Sequence, residues 1–281
     1  MIEHTHDLLK VCFIGGGNMA RALIGGLCDH SSQPVCRASD IHVVDINVAN
    51  LQQLQQTFGI STAEAIDARV SAADIVLLAV KPQQMREVGA QLLPFLTRQT
   101  VISIAAGIRI VDLTRWLGGY AEIVRTMPNM AALINQGMTG MAAEAGVSAR
   151  RRAMAERVMR SVGQTLWLKD EAMLDPFTAI SGSGPAYVFY FIEAMQQAAQ
   201  NLGFSEEESR QLTLATFQGA AQLAGQSEES AAILRQRVTS KGGTTHAAIV
   251  SMEDSGVSLA IVKALEAAAA RSRELGDEFG V

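Results

Sequence analysis

Short apolar runs alternate with segments of helical spacing over residues 11–168. The runs are mostly continuous rather than alternating, which favours strands of a parallel sheet that is covered on both faces. They begin at positions 11, 41, 75, 101, 123, 138 and 165. Between two of them, Asn47 precedes apolar residues at positions 51, 54 and 58, and Gly59 follows. That pattern is typical of a capped helix. The alternation predicts an α/β fold with an N-terminal doubly wound Rossmann-type domain.

After Lys169 the pattern changes to helices alone. Pro185 follows the Gly/Ser-rich residues 181–184 and is a good first helical residue, which predicts a helix to residue 202. Ser205 and Glu208 have the spacing of a capping box. Further helices are predicted to begin near residues 205, 227, 244 and 258. We therefore expect a dinucleotide-binding domain over residues 1–169 and a C-terminal all-helical domain for substrate binding and dimerisation over residues 170–281.

The helical half is apolar on more than one face. Residues 188–192 are consecutive apolar residues, and residues 264–270 are nearly all small. A helix that is apolar all round must be buried. Since about 110 residues cannot easily bury so much surface alone, we expect a homodimer or a larger homo-oligomer. The alternative is a helical domain that packs on its own sheet.

The composition narrows the class of protein. Of 281 residues, 48% are hydrophobic and 18% charged, so the chain can bury a substantial core. The net charge of −5 argues against a nucleic-acid partner. Lys263 and Glu266 interrupt the longest apolar stretch, so no membrane association is expected. Three cysteines suggest neither a disulfide framework nor a metal site, which fits a cytoplasmic protein.

The first apolar run ends in a glycine-rich turn with the pattern G-x-G-x-x-A. Gly15 allows the tight turn, Gly17 lets the backbone approach a pyrophosphate, and a small residue at position 20 lets helix pack on strand. Asn18 and Met19 open the helix, whose N-terminus faces the anion. The turn predicts a nicotinamide or flavin nucleotide. The alternative is a strand–turn–helix without a ligand.

Asp45 follows the second strand, where an acidic residue usually binds the ribose hydroxyls and disfavours a 2′-phosphate. No arginine follows it closely, so Asp45 favours NADH over NADPH. The alternative is an exposed turn aspartate or a helix cap.

Three later strand ends are expected beside the cofactor, because open α/β sheets bind ligands at the carboxyl ends of their strands. Small residues there let a flat ring lie against the backbone. Lys81 could reach a ribose or phosphate, or be a solvated loop lysine. The strand ends are Ala79, Val80, Lys81 and Pro82; Ala105, Ala106 and Gly107; and residues 127–129.

A second glycine-rich segment lies between two predicted helices, at residues 238–246. Its backbone N–H groups can hold a carboxylate or phosphate, with help from the hydroxyls of Ser240, Thr244 and Thr245. The alternative is an ordinary capped loop. His246 could act as an acid or base, or simply occupy a first helical turn.

Five segments stand in the order and spacing of one family's motifs. They are residues 13–20 (FIGGGNMA), 79–83 (AVKPQ), 125–129 (RTMPN), 181–187 (SGSGPAY) and 238–245 (VTSKGGTT). On these segments the chain resembles the pyrroline-5-carboxylate reductases over essentially its whole length. The segment at 238–245 is the most specific. Lys241 replaces a frequent proline, and Asp45 stands where NADPH-preferring members carry serine or arginine.

The resemblance implies the last step of proline biosynthesis, in which NADPH or NADH reduces a cyclic imine, L-1-pyrroline-5-carboxylate, to L-proline. It assigns Thr245 to the imine nitrogen, and Ser240, Gly243 and Thr244 to the substrate carboxylate. A threonine hydroxyl is a weak acid, so Thr245 would position the nitrogen and relay a proton from water. The resemblance also implies that Glu171 lies at the edge of the cofactor site, and that the substrate site forms where the two domains meet.

Two other functions are compatible with a two-domain layout. A β-hydroxyacid dehydrogenase needs a lysine on the first long helix of the second domain, and residues 187–202 contain none. A non-catalytic nucleotide sensor needs no polar loop facing the nicotinamide, so residues 242–245 argue against it.

Overall fold

The computed structural model describes residues 8–28 and 34–280. Its eight strands are β1 (Val11–Ile14), β2 (Ile41–Val44), β3 (Ser61–Ala63), β4 (Ile75–Leu78), β5 (Thr100–Ser103), β6 (Ile123–Met127), β7 (Gly137–Ala143) and β8 (Gly163–Trp167). The α-helices are α1 (Asn18–Cys28), α2 (Val48–Phe58), α3 (Met85–Leu92), α4 (Ile110–Trp116), α5 (Ala149–Arg160), α6 (Leu174–Phe177), α7 (Gly184–Asn201), α8 (Glu206–Gln226), α9 (Ala231–Arg237), α10 (Thr244–Asp254) and α11 (Val257–Phe279).

The strands form one sheet in the order β3-β2-β1-β4-β5-β6-β7-β8. All neighbours are parallel except β6 and β7, which are antiparallel. This order confirms the doubly wound Rossmann-type domain. The antiparallel step has a physical cause: residues 128–136 are too few for the crossover that a parallel neighbour requires.

Both faces of the sheet are covered, as the continuous apolar runs predict. Phe13 and Leu23 belong to the core on one face, whereas Cys12 and Val76 belong to the core on the other. The local helix signals also hold, because α2 begins after Asn47, whose side chain accepts a hydrogen bond from the backbone nitrogen of Asn50.

The chain divides into two compact units. One consists of the described residues up to Ser183 together with those from Ala268 onwards, and the other of residues 184–267. The units therefore differ from the predicted division between residues 169 and 170. Leu174 and Phe177 are buried in the first unit, where Phe177 lies over Gly140 of β7. That burial keeps residues 170–183 with the sheet.

The second unit is entirely helical. Ser205 and Glu208 form the expected capping box at the start of α8. The N-cap of α9 is Ser230 rather than a residue near 227. Much of the apolar surface of the unit is exposed in the single chain: Phe189 is 57% and Tyr190 70% exposed. Among the described residues, no helix is long and apolar enough to cross a bilayer.

Candidate active site

The glycine-rich turn has a backbone that only glycine fits. Gly15 has φ +102°, and a Cβ there would lie 2.6 Å from the carbonyl oxygen of Ala79. Its nitrogen donates a hydrogen bond to the carbonyl of Val44 at 2.7 Å. The turn is thereby held between β2 and β4, and α1 begins at Asn18 directly behind it. Free N–H groups at such a helix start suit a phosphate.

A cavity of about 430 Å³ opens beside this turn, at the carboxyl ends of β1, β2 and β4. It brings together six of the predicted cofactor residues: Gly15, Gly17, Asp45, Ala79, Val80 and Lys81. Its other polar side chains are those of Asn47, Glu64, Gln84 and Gln91. Three predicted cofactor residues near the turn and the fourth strand are absent from the lining: Asn18, Met19 and Pro82. The cavity size and the helix start fit the phosphates and ribose of a dinucleotide.

Asp45 is held firmly at the rim of this cavity. One carboxylate oxygen, Oδ2, accepts from the Gly16 nitrogen at 2.7 Å and from Asn50 Nδ2 at 3.3 Å. The other, Oδ1, accepts from the Asn47 nitrogen at 2.9 Å. The helix cap itself is Asn47, so Asp45 does not have that alternative role. Its second oxygen retains capacity for another donor.

Glu64 is a cavity residue that sequence reasoning missed. The Asp45 nitrogen donates to the carbonyl of Ala63 at 3.2 Å, which places Glu64 beside Asp45 at the next strand end. Two carboxylates and one lysine then line the cavity, and no arginine is among its described lining residues. Little in the sequence marks Glu64 as a strand-end residue, because β3, the strand that it follows, has only three residues.

The carboxyl end of β5 lies next to β4 but outside this cavity. Ala105 is buried, and its nitrogen donates to the side chain of Ser103 at 3.3 Å. Ala106 and Gly107 follow, and Gly107 has φ +76°. These three residues do not line the cavity, but they follow β5, the neighbour of the cavity strand β4. Their contact with a cofactor stays a prediction.

Glu171 is engaged in a half-buried ion pair. Its Oε1 accepts from Arg125 Nη1 at 2.8 Å and from the backbone nitrogen of Ile110 at 2.7 Å. Arg125 is almost fully buried on β6. Glu171 therefore satisfies the first N–H of α4 and fixes that helix to β6. A role at the cofactor edge stays a prediction.

The loop before α10 presents donors in the second unit. The helix begins at Thr244, so the N–H groups of Thr244 and Thr245 have no acceptor within the helix. The nitrogen of Gly243 instead donates to the carbonyl of Ser240 at 3.0 Å. Thr245 is half-buried within its unit, and Lys241 is exposed. The arrangement suits a carboxylate near the two threonines.

Two family profiles match the chain. The profile described as pyrroline-5-carboxylate reductase dimerisation matches residues 171–275. The profile described as NADP oxidoreductase, coenzyme F420-dependent, matches residues 10–107. A pyrroline-5-carboxylate reductase of Pseudomonas aeruginosa is 45% identical over 272 residues, which is 96% of this chain and 98% of that protein. The chain belongs to the pyrroline-5-carboxylate reductase family. It is accordingly an oxidoreductase.

Solved structures of family members agree with this assignment. The pyrroline-5-carboxylate reductase of Coxiella burnetii is 38% identical, with a TM-score of 0.88 over 96% of this chain and 99% of that one. The Plasmodium falciparum pyrroline carboxylate reductase, solved with NADP bound, is 28% identical, with a TM-score of 0.85 over 95% and 98% of the two chains. The fold is thus that of the family in both units.

Proposed function

We propose that this protein reduces L-1-pyrroline-5-carboxylate to L-proline at the expense of NADH or NADPH. The observation that carries the proposal is the loop at residues 240–245, which leads into α10 and presents the free N–H groups of its first turn. It lies in a chain that matches a pyrroline-5-carboxylate reductase over 96% of its length. A cyclic imine with one carboxylate needs an anion site and a polar group near its nitrogen. The loop supplies both.

The residues at the cavity fit a dinucleotide. Gly15 and Gly17 let a pyrophosphate approach the N-terminus of α1, and Lys81 adds a positive charge. Asp45 and Glu64 suit free ribose hydroxyls better than a 2′-phosphate. We therefore infer that NADH serves at least as well as NADPH. A reduced nicotinamide supplies the hydride that the imine carbon requires.

The chain's own contribution is positioning and charge stabilisation. The N–H groups that open α10, with the Ser240 hydroxyl, hold the substrate carboxylate. The Thr245 hydroxyl donates to the imine nitrogen, orients it and passes on a proton from water. Fixing the ring at both ends makes the reaction effectively unimolecular, which is the larger part of the rate gain.

We propose a homodimer or larger assembly formed through the second unit. The exposed side chains of Phe189, Tyr190 and Leu259 need cover, and a dimerisation profile spans the unit.

A spectrophotometric assay tests the function. Oxidation of NADH is followed after addition of pyrroline-5-carboxylate, with a β-hydroxyacid and NAD⁺ in a parallel reaction. We expect oxidation with the imine and no reduction with the hydroxyacid, since α7 carries no lysine. Activity with the hydroxyacid alone would contradict the proposal.

A further inference from the structure

The end of α11 packs on the loop between β5 and α4, within the first unit. Arg109, the last residue of that loop, donates from Nη2 to Asp277 Oδ1 at 2.7 Å and to the carbonyl of Arg273 at 3.3 Å. Gly276 lies so close to the Arg109 guanidinium that a Cβ there would be 2.9 Å from Nη2. The final helical turns therefore bind the loop through its arginine.

A second contact lies two residues earlier in the loop. A Cβ on Gly107 would lie 3.0 Å from Cδ2 of Phe279 and 3.3 Å from Cβ of Leu275. Gly107 has φ +76°, so glycine is required by the backbone as well as by the contact. Phe279 also packs on the core of this sheet face. The ring thus connects the core to the loop.

The loop is also held by the core of this sheet face, in which Ala105 and Ile108 are buried. Residues 104–109 join β5 to α4. The nitrogen of Ile104 donates to Leu78 at one end, and the nitrogen of Ile110 donates to Glu171 at the other. Between these anchors lie Ala105, Ala106 and Gly107. They stand at the carboxyl end of β5, which is the neighbour of β4 in the sheet. This end lies on the far side of β1 from Asp45, where the nicotinamide half of a dinucleotide is expected.

We propose that the C-terminal segment 275–280 positions this loop, and that Asp277 and Phe279 are positioning residues for the nicotinamide half of the cofactor. This inference rests on the proposed function. A displaced loop would misplace the ring that delivers hydride, and small misplacements cost much in rate. Binding of the adenosine half, at Gly15 and Asp45, would not change.

The test separates the two halves of the cofactor. Calorimetric titration compares NADH with ADP-ribose, which lacks the nicotinamide, on the full chain and on the double variant Asp277→Asn, Phe279→Ala. We expect the Kd for NADH to rise about tenfold, equal to about 1.4 kcal/mol, while the Kd for ADP-ribose stays constant. If the double variant unfolds, Asp277→Asn alone keeps the test open, because this side chain is 71% exposed. A rise of about twofold is then expected, since an exposed ion pair is worth little.

Glu278→Gln is the matched control. It removes a charge from the next residue, which pairs with Arg271 at 2.6 Å rather than with the loop. The control should bind both ligands as the wild type does. An unchanged Kd for NADH in the Asp277 variants, or an equal loss for NADH and ADP-ribose, would overturn the inference. A wild-type protein that binds NADH but does not oxidise it with the imine would contradict the proposed function instead.

Discussion

The Asp45 carboxylate and the Gly16 backbone nitrogen form a hydrogen bond of 2.7 Å. The bond ties the end of β2 to the glycine-rich turn, so the side chain that we propose as the ribose ligand also shapes the turn proposed to bind the phosphates. Since Oδ2 also accepts from Asn50, further donors must use Oδ1. Asp45 thus has a structural role that its position in the sequence did not reveal.

Replacing Asp45 by serine should change both affinity and preference. Loss of the hydrogen bond to the Gly16 nitrogen should weaken the binding of NADH and NADPH alike, whereas loss of the negative charge should favour NADPH. We expect the ratio of kcat/KM for NADPH over NADH to rise by an amount worth about 1–2 kcal/mol. Steady-state kinetics with both cofactors measures it. A tenfold preference for NADPH in the wild type would show that Asp45 does not face the ribose.

Glu64→Gln is the companion variant, because it removes a cavity charge and leaves the bonds of the turn intact. The preference should move in the same direction but less, since Glu64 is exposed to solvent. Glu278→Gln, outside the cavity, should leave the ratio unchanged. Equal shifts of this ratio in Glu64→Gln and Glu278→Gln would indicate a general effect of net charge.

Local signals predicted much of the fold. Asn47 and Gly59 delimited α2, and Ser205 and Glu208 marked the capping box that begins α8. Continuous apolar runs indicated the buried strands. These features depend on a few neighbouring residues, so the sequence contains them directly.

Other features depend on distant parts of the chain. β7 is antiparallel because its connection to β6 is short. β3 has only three residues, too few to show a hydrophobic pattern. The Arg109–Asp277 ion pair joins residues 168 positions apart. Glu64 becomes a site residue only because β3 pairs with β2. Single-sequence patterns do not encode such pairings.

Thr245→Ala should lower kcat by about ten- to a hundredfold, or roughly 1.4–2.7 kcal/mol of transition-state stabilisation. The hydroxyl is proposed to stabilise the amine nitrogen as charge develops there. Thr245→Ser keeps the hydroxyl and should retain most of the activity. Unchanged turnover in a folded alanine variant would remove Thr245 from the mechanism.

The oligomeric state should depend on the apolar surface of α7. Light scattering at micromolar concentration should show a dimer or larger assembly. Phe189→Glu should reduce it to smaller species, because a charge would be buried at the interface. Glu278→Gln, in the first unit, is the control. A monomeric wild type would contradict the proposal.

Acid should destabilise the protein through His42. Burial is the main cause that lowers the pKa of this imidazole below 6.5, and the nearby positive charge of Arg69 lowers it further. Two contacts oppose this effect: Asp67 Oδ1 lies 3.7 Å from Nε2, and Ser61 Oγ lies 2.8 Å from Nδ1. Below pH 6.5 the unfolded chain gains a proton that the folded chain does not, so the unfolding free energy falls as pH falls, until the folded pKa is passed. Denaturant unfolding between about pH 7.5 and 5 should show a smaller decline in His42→Asn than in the wild type. Equal slopes would exclude His42 as the source.

Hydride transfer to the imine carbon is the central claim, and an isotope measurement tests it most directly. The protein is incubated with pyrroline-5-carboxylate and NADH that carries deuterium in the transferred position at C4, and the product is analysed by mass spectrometry and NMR. We predict L-proline with one deuterium at C5, the former imine carbon. Absence of proline, or proline without deuterium at C5, would contradict the account.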